Sequence, residues 1–283
     1  MQLSTISRAL QGIAIKSYLR ICFWLKKSPG ELSKDSDLVI SLTSYGRRVR
    51  KSVPYTIYYL FKQTIKPRRI VLWLDYDNWN KDNIPSKLKF LEKYGLEIRF
   101  CKDIKSYKKL IYTLKLYPNN KIITVDDDSL YYKDVVKTLS NLSEQYPNAV
   151  ISLRSHQLAW DEQSQSSPSY RCGNVTNDKK KLPRLPTGAG GILYPPGCFN
   201  DEVFNEKAFT TLCPTADDIW FWAMEIYNKC QVVGFKRDST YPIESFYQYF
   251  HKGSALEQLN VDNNANDKQI KAVFDYYKLG ELL

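Results

Sequence analysis

The first half of the chain alternates short apolar runs with segments of helical spacing. Five runs of strand-forming residues occur at 37–44, 69–75, 96–100, 121–125 and 149–152. Short apolar runs of this kind are typical of strands buried within a sheet. Helical patterns follow them at 53–63, 85–94 and 133–145, and 102–109 is a lysine-rich entry to a further helix. The alternation predicts an α/β fold with a doubly wound, mostly parallel sheet and flanking helices.

The first 34 residues differ from the rest and are predicted to form a basic, amphipathic helical segment. Apolar or small residues recur at steps of three and four, at Leu3, Ile6, Leu10, Ile13, Ala14 and Ser17. Five basic residues occur in the first 30 positions, and no acidic residue precedes Glu31. The cations interrupt the apolar run too often for a spanning helix or a signal peptide. Two interpretations remain: a helix lying in an anionic membrane surface, and an ordinary helix packed on the domain. Residues 35–283 are predicted to form one domain.

Composition narrows the function classes. The 283 residues carry a formal net charge of +11, which favours anionic partners such as nucleic acid, anionic lipid or phosphorylated substrates. The six cysteines form no Cys-x-x-Cys pair, which argues against a zinc site and a disulfide framework. Reduced thiols in a cytoplasmic protein are therefore expected.

Three consecutive acids, Asp126, Asp127 and Asp128, follow the fourth apolar run. Ligands of open α/β sheets bind beyond the carboxyl ends of the strands. Alternate residues of an extended chain point the same way, so Asp126 and Asp128 are predicted to bind one hard divalent cation, Mn²⁺ or Mg²⁺. A solvated acidic turn is the alternative.

Other polar residues also follow predicted strands. Asp75 ends the second run, where an acid can accept hydrogen bonds from a ribose or a base. Arg47 and Arg48 follow the first run, and paired guanidinium groups suit phosphate, although a solvated basic turn is the alternative. Neither a Gly-x-Gly-x-x-Gly motif nor a P-loop follows the first run, which argues against a dinucleotide fold and a P-loop NTPase.

The second half of the chain adds four features. The polar segment from 156 to 184 is long enough to suggest a lid or acceptor-selecting loop. Three glycines between Gly188 and Gly191 permit close backbone approach to a ligand, with a bulged strand as the alternative. Asp217 and Asp218 precede an aromatic run, where Thr215 is predicted to cap a helix. His251 lies in a second aromatic segment. A single histidine is more often structural than a metal ligand, so a structural role is the alternative.

Six blocks, in this order, resemble a bacterial glycosyltransferase family of the GT-A fold, of the kind found in gene clusters for surface polysaccharides and lipopolysaccharide. The blocks are spread over the chain from about 38 to 251, and they are Ser41–Arg48, Ile70–Leu74, Asp103–Lys109, Thr124–Asp128, Leu185–Gly191 and Pro214–Trp220. A bare Asp-x-Asp is common, but six ordered blocks are specific.

The resemblance implies a nucleotide-sugar donor, with a UDP-sugar expected, and a saccharide or lipid-linked saccharide acceptor. Asp126 and Asp128 match the Asp-x-Asp metal site, and His251 is a looser match to a third ligand. The donor is expected near six residues: Asp75, Arg47, Lys105, Lys109, Asp127 and Gly190. In inverting members of the fold, a later carboxylate deprotonates the acceptor, and Asp217 or Asp218 matches it, with Asp218 favoured.

The expected enzyme is thus a cytoplasmic hexosyltransferase, with peripheral contact to the inner membrane through the basic segment. Two other functions compete with it. A nucleotidyltransferase uses a similar sheet and metal-binding acids, but the turn at Tyr45–Arg48 is too short for its usual glycine-rich signature. A nucleic-acid-binding module would use the positive charge and the tyrosines, but three adjacent acids would repel phosphate. No nucleic-acid partner is therefore expected.

Overall fold

The computed structural model describes residues 3–160, 168–169, 184–236, 243–245 and 265–283. The strands are β1 Leu38–Thr43, β2 Arg69–Asp75, β3 Leu96–Cys101, β4 Lys121–Thr124, β5 Ser129–Tyr131, β6 Val150–His156, β7 Ala159–Trp160, β8 Pro168–Ser169, β9 Leu185–Pro186, β10 Ile192–Tyr194, β11 Val232–Lys236 and β12 Ile243–Ser245. The α-helices are α1 Leu3–Trp24, α2 Arg48–Lys51, α3 Val53–Leu60, α4 Ser86–Glu92, α5 Lys108–Leu116, α6 Val135–Gln145, α7 Glu206–Leu212, α8 Asp217–Tyr227 and α9 Ala265–Tyr277.

The described residues divide into two compact units. The first unit contains the residues up to 138 together with β12, and the second contains the residues from 139 to 236 together with α9. The segment 35–283, predicted as one domain, contributes to both units, and its status as one domain stays a prediction.

The first unit is built on four parallel strands in the order β3-β2-β1-β4. The first five residues of β1 are buried, because strands pair with both of its edges and α5 packs against it. The strand order reverses at β1, since β2 lies on one side of it and β4 on the other. Such a reversal opens a crevice at the carboxyl ends of the strands, where open α/β sheets bind their ligands.

Glycine and proline place the ends of two helices in the first unit. Pro54 lies in the first turn of α3, where its missing N–H costs nothing. After α4 ends at Glu92, Gly95 donates its backbone N–H to the Glu92 carbonyl at 3.0 Å and adopts φ +104°. This left-handed conformation suits glycine, and it turns the chain directly into β3.

The second unit contains a mixed sheet centred on β6. Strand β11 is parallel to β6, whereas β9 and β10 pair with β6 in antiparallel register. The glycine-rich stretch between β9 and β10 is a short 3₁₀ helix, Gly188–Gly190, rather than a single bulged strand. Helix α8 is almost wholly buried, and it carries Trp220 and Trp222 into the core of this unit.

The predicted α/β class with a mostly parallel sheet is thus confirmed. The predicted N-terminal helix is also present, as α1 in the first unit. None of the helices within the described residues is long and apolar enough to cross a bilayer.

Candidate active site

The three consecutive acids lie at the crevice of the first unit. Strand β4 ends at Thr124, and Asp127 and Asp128 form the turn that leads into β5. Ser44 and Arg48 follow the carboxyl end of β1, the parallel neighbour of β4. Two adjacent strand ends therefore bring carboxylates, a hydroxyl and a guanidinium group together at the point where the strand order reverses.

Asp127 is the buried anchor of the turn. Its carboxylate accepts a hydrogen bond from the Ser44 hydroxyl at 2.5 Å and another from the Arg48 guanidinium at 3.0 Å. The Thr56 hydroxyl donates to the Asp127 main-chain carbonyl at 3.1 Å. Burial raises the pKa of Asp127, against the opposing influence of Arg48 and Ser44. These contacts give Asp127 the role of fixing the turn.

Arg48 neutralises two acids at once. Its Nη1 lies 3.0 Å from Asp127 Oδ1 and 3.1 Å from Asp128 Oδ2. Even so, burial and the charges of Asp127 and Asp126 raise the pKa of Asp128 to about 7. The positive charge of Arg48 therefore compensates the turn only in part, and a further cation would be favoured beside Asp128.

Asp126 is the most accessible acid of the three. Its side chain is 32% exposed, and its Oδ1 lies 3.5 Å from Nζ of Lys109, a buried residue of α5. The Asp126 backbone N–H donates to the Tyr131 hydroxyl at 2.8 Å, which ties the acid to β5. The extended conformation predicted for 126–128 is wrong, because the strand stops at Thr124 and the chain turns. The roles of Asp126 and Asp128 as metal ligands stay predictions.

Asp75 lies at the end of β2, on the same carboxyl edge of the sheet, and is buried. Its Oδ1 accepts hydrogen bonds from the backbone N–H and the side-chain amide of Asn78, at 2.9 and 2.6 Å. These bonds close the turn after β2. They also show a structural role that the sequence analysis did not assign to Asp75.

The predicted phosphate-binding cations lie in different settings. Arg47 is exposed to solvent, whereas its neighbour Arg48 is half-buried against the acids. Lys105 is also exposed, and it adopts a left-handed backbone conformation at φ +57°. Lys109 is buried beside Asp126. Nothing in the local sequence distinguishes Arg48 from Arg47, so the inward-facing arginine was missed.

The donor set of the turn suits a hard cation. Asp126, Asp128 and Ser44 offer only oxygen atoms, the ligands that Mn²⁺ and Mg²⁺ prefer. Across the described residues, no three or more His, Cys, Asp or Glu side chains are arranged to hold an ion by themselves. The residues therefore fit an ion that takes one or two carboxylates and completes its shell with phosphate and water. His251, the predicted further ligand, lies outside the described residues.

A cleft opens beside Asp128 in the first unit. Its lining includes Lys16 and Leu19 from α1, Lys51 from α2, and Tyr55 and Thr56 from α3. Burial and the charge of Arg20 lower the pKa of Lys16. One face of the basic N-terminal helix is thus part of the wall beside the acidic turn.

In the second unit, two motifs that the sequence analysis treated separately contact each other. The backbone N–H of Gly188 donates to Asp218 Oδ2 at 3.2 Å. Asp218 is half-buried, whereas Asp217 is buried. Of the two candidate bases, Asp218 is therefore the more accessible to a substrate.

The predicted cap of the helix that follows is wrong. Helix α8 begins after Ala216, without a side-chain cap. The Thr215 backbone N–H instead donates to the Gln269 side chain of α9 at 3.0 Å. The Thr215 hydroxyl, which is the group that a cap would use, accepts a hydrogen bond from Gln269 Nε2 at 3.0 Å, so a tertiary contact has replaced the local one.

Gly190 has a packing role within the second unit. A Cβ atom at this position would lie 2.5 Å from the backbone nitrogen and from the Cβ of Arg154 in β6. Only glycine permits so close an approach between the two segments. This close packing is sufficient to explain a glycine at position 190 without any ligand. The predicted contact between Gly190 and a donor stays a prediction.

Glu225 is an acid that the sequence analysis missed. It is fully buried in α8, and its two carboxyl oxygens have no hydrogen-bond partner among the described residues. Burial, and then the charge of Asp218, raise its pKa well above the ordinary value. Asp218 and Glu225 are seven residues apart and share one face of the helix. The one sign of this burial in the sequence is that Glu225 is the single acid in the otherwise apolar stretch 219–226.

We expect Glu225→Gln to stabilise the protein increasingly as the pH rises from about 5 to about 8. In the wild type, the folded state keeps Glu225 protonated while the unfolded chain ionises above the ordinary pKa of 4.5, so stability falls with pH. The slope can reach about 1.4 kcal/mol per pH unit for one group. The neutral amide has no such slope. Urea unfolding across this pH range measures the difference.

The control for this experiment is Glu92→Gln, which replaces an exposed glutamate of α4. Its free energy of unfolding should follow that of the wild type at every pH. If the Glu225→Gln curve also runs parallel to the wild type, Glu225 does not titrate as inferred.

Comparisons with known proteins give a fold-level likeness only. No protein-family model matches the chain, and no curated protein matches it in sequence. Among solved structures, S. aureus TarS 1–349 in complex with UDP aligns at 11% identity and a TM-score of 0.44, over 71% of this chain and 58% of that one. A second structure of S. aureus TarS 1–349 aligns at 12% identity and a TM-score of 0.43, over 87% of this chain and 88% of that one.

A third structure is the mannosyltransferase PcManGT from Pyrobaculum calidifontis, in complex with GDP-Man and Mn²⁺. It aligns at 11% identity and a TM-score of 0.46, over 98% of this chain and 94% of that one. All three TM-scores are less than 0.5, so these similarities assign no role to any residue of this chain.

Proposed function

We propose that this chain is a metal-dependent glycosyltransferase of the GT-A fold. It transfers a hexosyl group from a nucleotide-sugar, preferably a UDP-sugar, to a saccharide or lipid-linked saccharide in cell-surface polysaccharide synthesis. The observation that supports this most strongly is the acidic turn after β4, held by Ser44 and Arg48 at the reversal of strand order. Nucleotides bind at such crevices in open α/β sheets.

The first unit supplies donor binding in this proposal. Asp126 and Asp128 hold Mn²⁺ or Mg²⁺, which supplies Lewis acidity that neutralises the leaving diphosphate. Asp75, on the same sheet edge, lies near the nucleoside. Arg47, Lys105 and Lys109 attract the phosphates, because each carries a cation on a loop or helix that follows a strand of this sheet. Asp127 fixes the turn on which Asp126 and Asp128 are presented.

The second unit supplies the base. Asp218 takes the proton from the acceptor hydroxyl while the acceptor oxygen bonds to the anomeric carbon and the bond to the diphosphate breaks. The Gly188 N–H donates to Asp218 Oδ2 at 3.2 Å and thereby orients the carboxylate. This assignment makes the reaction inverting. Asp217 is buried and therefore the weaker candidate.

The proposed location is the cytoplasm, where nucleotide-sugars are made, with access to lipid-linked acceptors at the inner face of the membrane. Free, rather than disulfide-bonded, cysteines agree with this location: five are found among the described residues.

A donor-hydrolysis screen tests the function. Wild-type protein is incubated with UDP-, GDP-, dTDP- and CMP-sugars, in Mn²⁺ or in EDTA, and released nucleotide and bound nucleotide are both measured. Slow release of one nucleotide that requires metal establishes the transferase and its donor class. Metal-dependent binding without release supports the donor site and calls for acceptor addition. Absence of both, with every donor, rejects the proposal.

Two further incubations separate the competing functions: one with a nucleoside triphosphate and a sugar phosphate, and one with oligonucleotides. A nucleotidyltransferase would release pyrophosphate from a nucleoside triphosphate and a sugar phosphate, and it would not hydrolyse the nucleotide-sugar. A nucleic-acid-binding module would bind oligonucleotides in EDTA, with an affinity that falls steeply as salt increases.

A further inference from the structure

Helix α1 is apolar on two opposite faces. One face packs on the first unit: Leu19 and Cys22 are buried, and Phe23 makes edge-on contacts with Tyr55, Tyr58 and Phe90 at centroid distances of 5.2–5.9 Å. The opposite face is exposed and carries large apolar side chains at Ile13, Tyr18, Ile21 and Trp24, with Leu25 just beyond the helix. A helix that is apolar all round is normally buried all round.

The exposed face is unusual within this chain. Trp24 is 81% exposed and Ile21 is 54% exposed, whereas the other tryptophans with described side chains, Trp73, Trp79, Trp220 and Trp222, are buried. Towards the start of α1, the sequence continues the same spacing at Leu3, Ile6 and Leu10. At 1.5 Å per residue, the 22 residues of α1 extend about 33 Å. Among the described side chains, the exposed face runs from Ile13 to Leu25, so it is a stripe of several apolar side chains and not one isolated exposed residue.

The charge around the stripe is of one sign. Arg20, Lys26 and Lys27 are exposed, and Lys62 reaches the same end of the helix, where its Nζ lies 3.3 Å from the Ser28 carbonyl. No acidic residue occurs in the first 30 positions. Pairing of this face with a second copy would bring like charges together without counterions, which disfavours a dimer. An anionic lipid surface accepts both the apolar side chains and the cations.

We propose that the outward face of α1, formed by Ile13, Tyr18, Ile21, Trp24 and Leu25, docks in the plane of an anionic lipid bilayer. The apolar side chains enter the boundary between head groups and acyl chains, and Lys26, Lys27 and Lys62 contact the lipid phosphates. Tryptophan and tyrosine suit this depth because each has an apolar ring and a polar group.

This docking connects the membrane with the acidic turn. The inward face of the same helix contributes Lys16 and Leu19 to the cleft that contains Asp128. A lipid-linked acceptor held at the outward face would therefore lie one helix diameter from that cleft, about 10 Å. The docking itself requires neither a donor nor catalysis, so it is testable whatever reaction the protein performs.

Flotation of the full chain with vesicles tests the proposal. The vesicles are pure phosphatidylcholine, or phosphatidylcholine with about one-third phosphatidylglycerol. We expect binding to the anionic vesicles only, and a blue shift of tryptophan fluorescence on binding. The double variant Ile21→Ser/Trp24→Ser should bind about 10- to 100-fold more weakly, because two apolar side chains no longer enter the lipid. Lys26→Glu/Lys27→Glu should bind at least about 30-fold more weakly, because each lysine near the surface contributes about 1 kcal/mol.

The matched control is Tyr276→Ser/Leu282→Ser, which removes two exposed apolar side chains from the C-terminal end of the chain. It should bind vesicles like the wild type, and thermal unfolding should show all variants folded. Three results overturn the proposal: no vesicle binding by the wild type, equal binding by every variant, or a wild-type dimer in sedimentation velocity that Ile21→Ser/Trp24→Ser converts to a monomer.

Discussion

Replacing Asp128 with asparagine is expected to abolish metal-dependent binding of the nucleotide and to lower the transfer rate on the order of 10³-fold. The substitution keeps the shape of the side chain and removes one negative charge from the turn. A metal ion contributes several kcal/mol of transition-state stabilisation, and each 1.36 kcal/mol corresponds to a factor of ten. Isothermal titration of UDP in Mn²⁺ and steady-state kinetics measure the two effects.

The loss should occur without unfolding. Asp127 keeps its bonds to Ser44 and Arg48 in the variant, so the turn remains fixed. Removing one of three adjacent carboxylates also relieves like-charge repulsion, so the melting temperature should equal or exceed that of the wild type. Asp134→Asn is the control. This exposed acid lies beyond β5, and its carboxylate accepts a hydrogen bond from the Thr64 hydroxyl at 2.8 Å. Unchanged metal-dependent binding in Asp128→Asn would remove this residue from the metal site.

The second large effect is expected at Asp218. Asparagine at this position cannot accept the acceptor proton, and general-base catalysis typically contributes about 10²–10⁴-fold to the rate. The amide oxygen can still accept the hydrogen bond from the Gly188 N–H, so the loop between β9 and β10 should keep its position. We therefore expect kcat to fall by this factor while metal-dependent donor binding stays as in the wild type.

Variants at two other acids of the second unit serve as controls for the Asp218 experiment. Asp217→Asn alters the buried neighbour, and Asp201→Asn alters an exposed acid of the same unit. A large loss of kcat in Asp217→Asn, with little change in Asp218→Asn, would transfer the base role to Asp217. Retention of anomeric configuration in the product would remove the role from both. Loss of donor binding in Asp218→Asn would make the residue part of the donor site instead.

The repeating strands of the first unit could be predicted from sequence because their apolar runs are local. The second run was predicted at its observed bounds, Arg69–Asp75, and the fourth differs by one residue at its end. Parallel strands buried between neighbours need continuous apolar runs, and such runs are visible without any tertiary information. The position of the acids at the crevice follows from the same pattern.

The contacts that fix the site could not be predicted, since they join residues far apart in the sequence. Arg48 and Arg47 look alike in sequence, yet only Arg48 is paired with the acids in the structure. Thr215 has the right spacing for a helix cap, but Gln269, more than fifty positions later, satisfies its backbone N–H instead. The apolar neighbours of Glu225 are visible in the sequence, but its burial depends on how α8 packs in the folded protein.

The pairing of β5 with β12 has a consequence for folding during synthesis. Strands β1 to β4 pair with one another in the order β3-β2-β1-β4, whereas β5 pairs with Ile243–Ser245, more than one hundred positions after it. Closing so long a loop is entropically costly and slows folding. Tyr131, which receives the Asp126 N–H, is itself a β5 residue paired with Ile243. The acidic turn therefore acquires this support only after residues 243–245 have been synthesised.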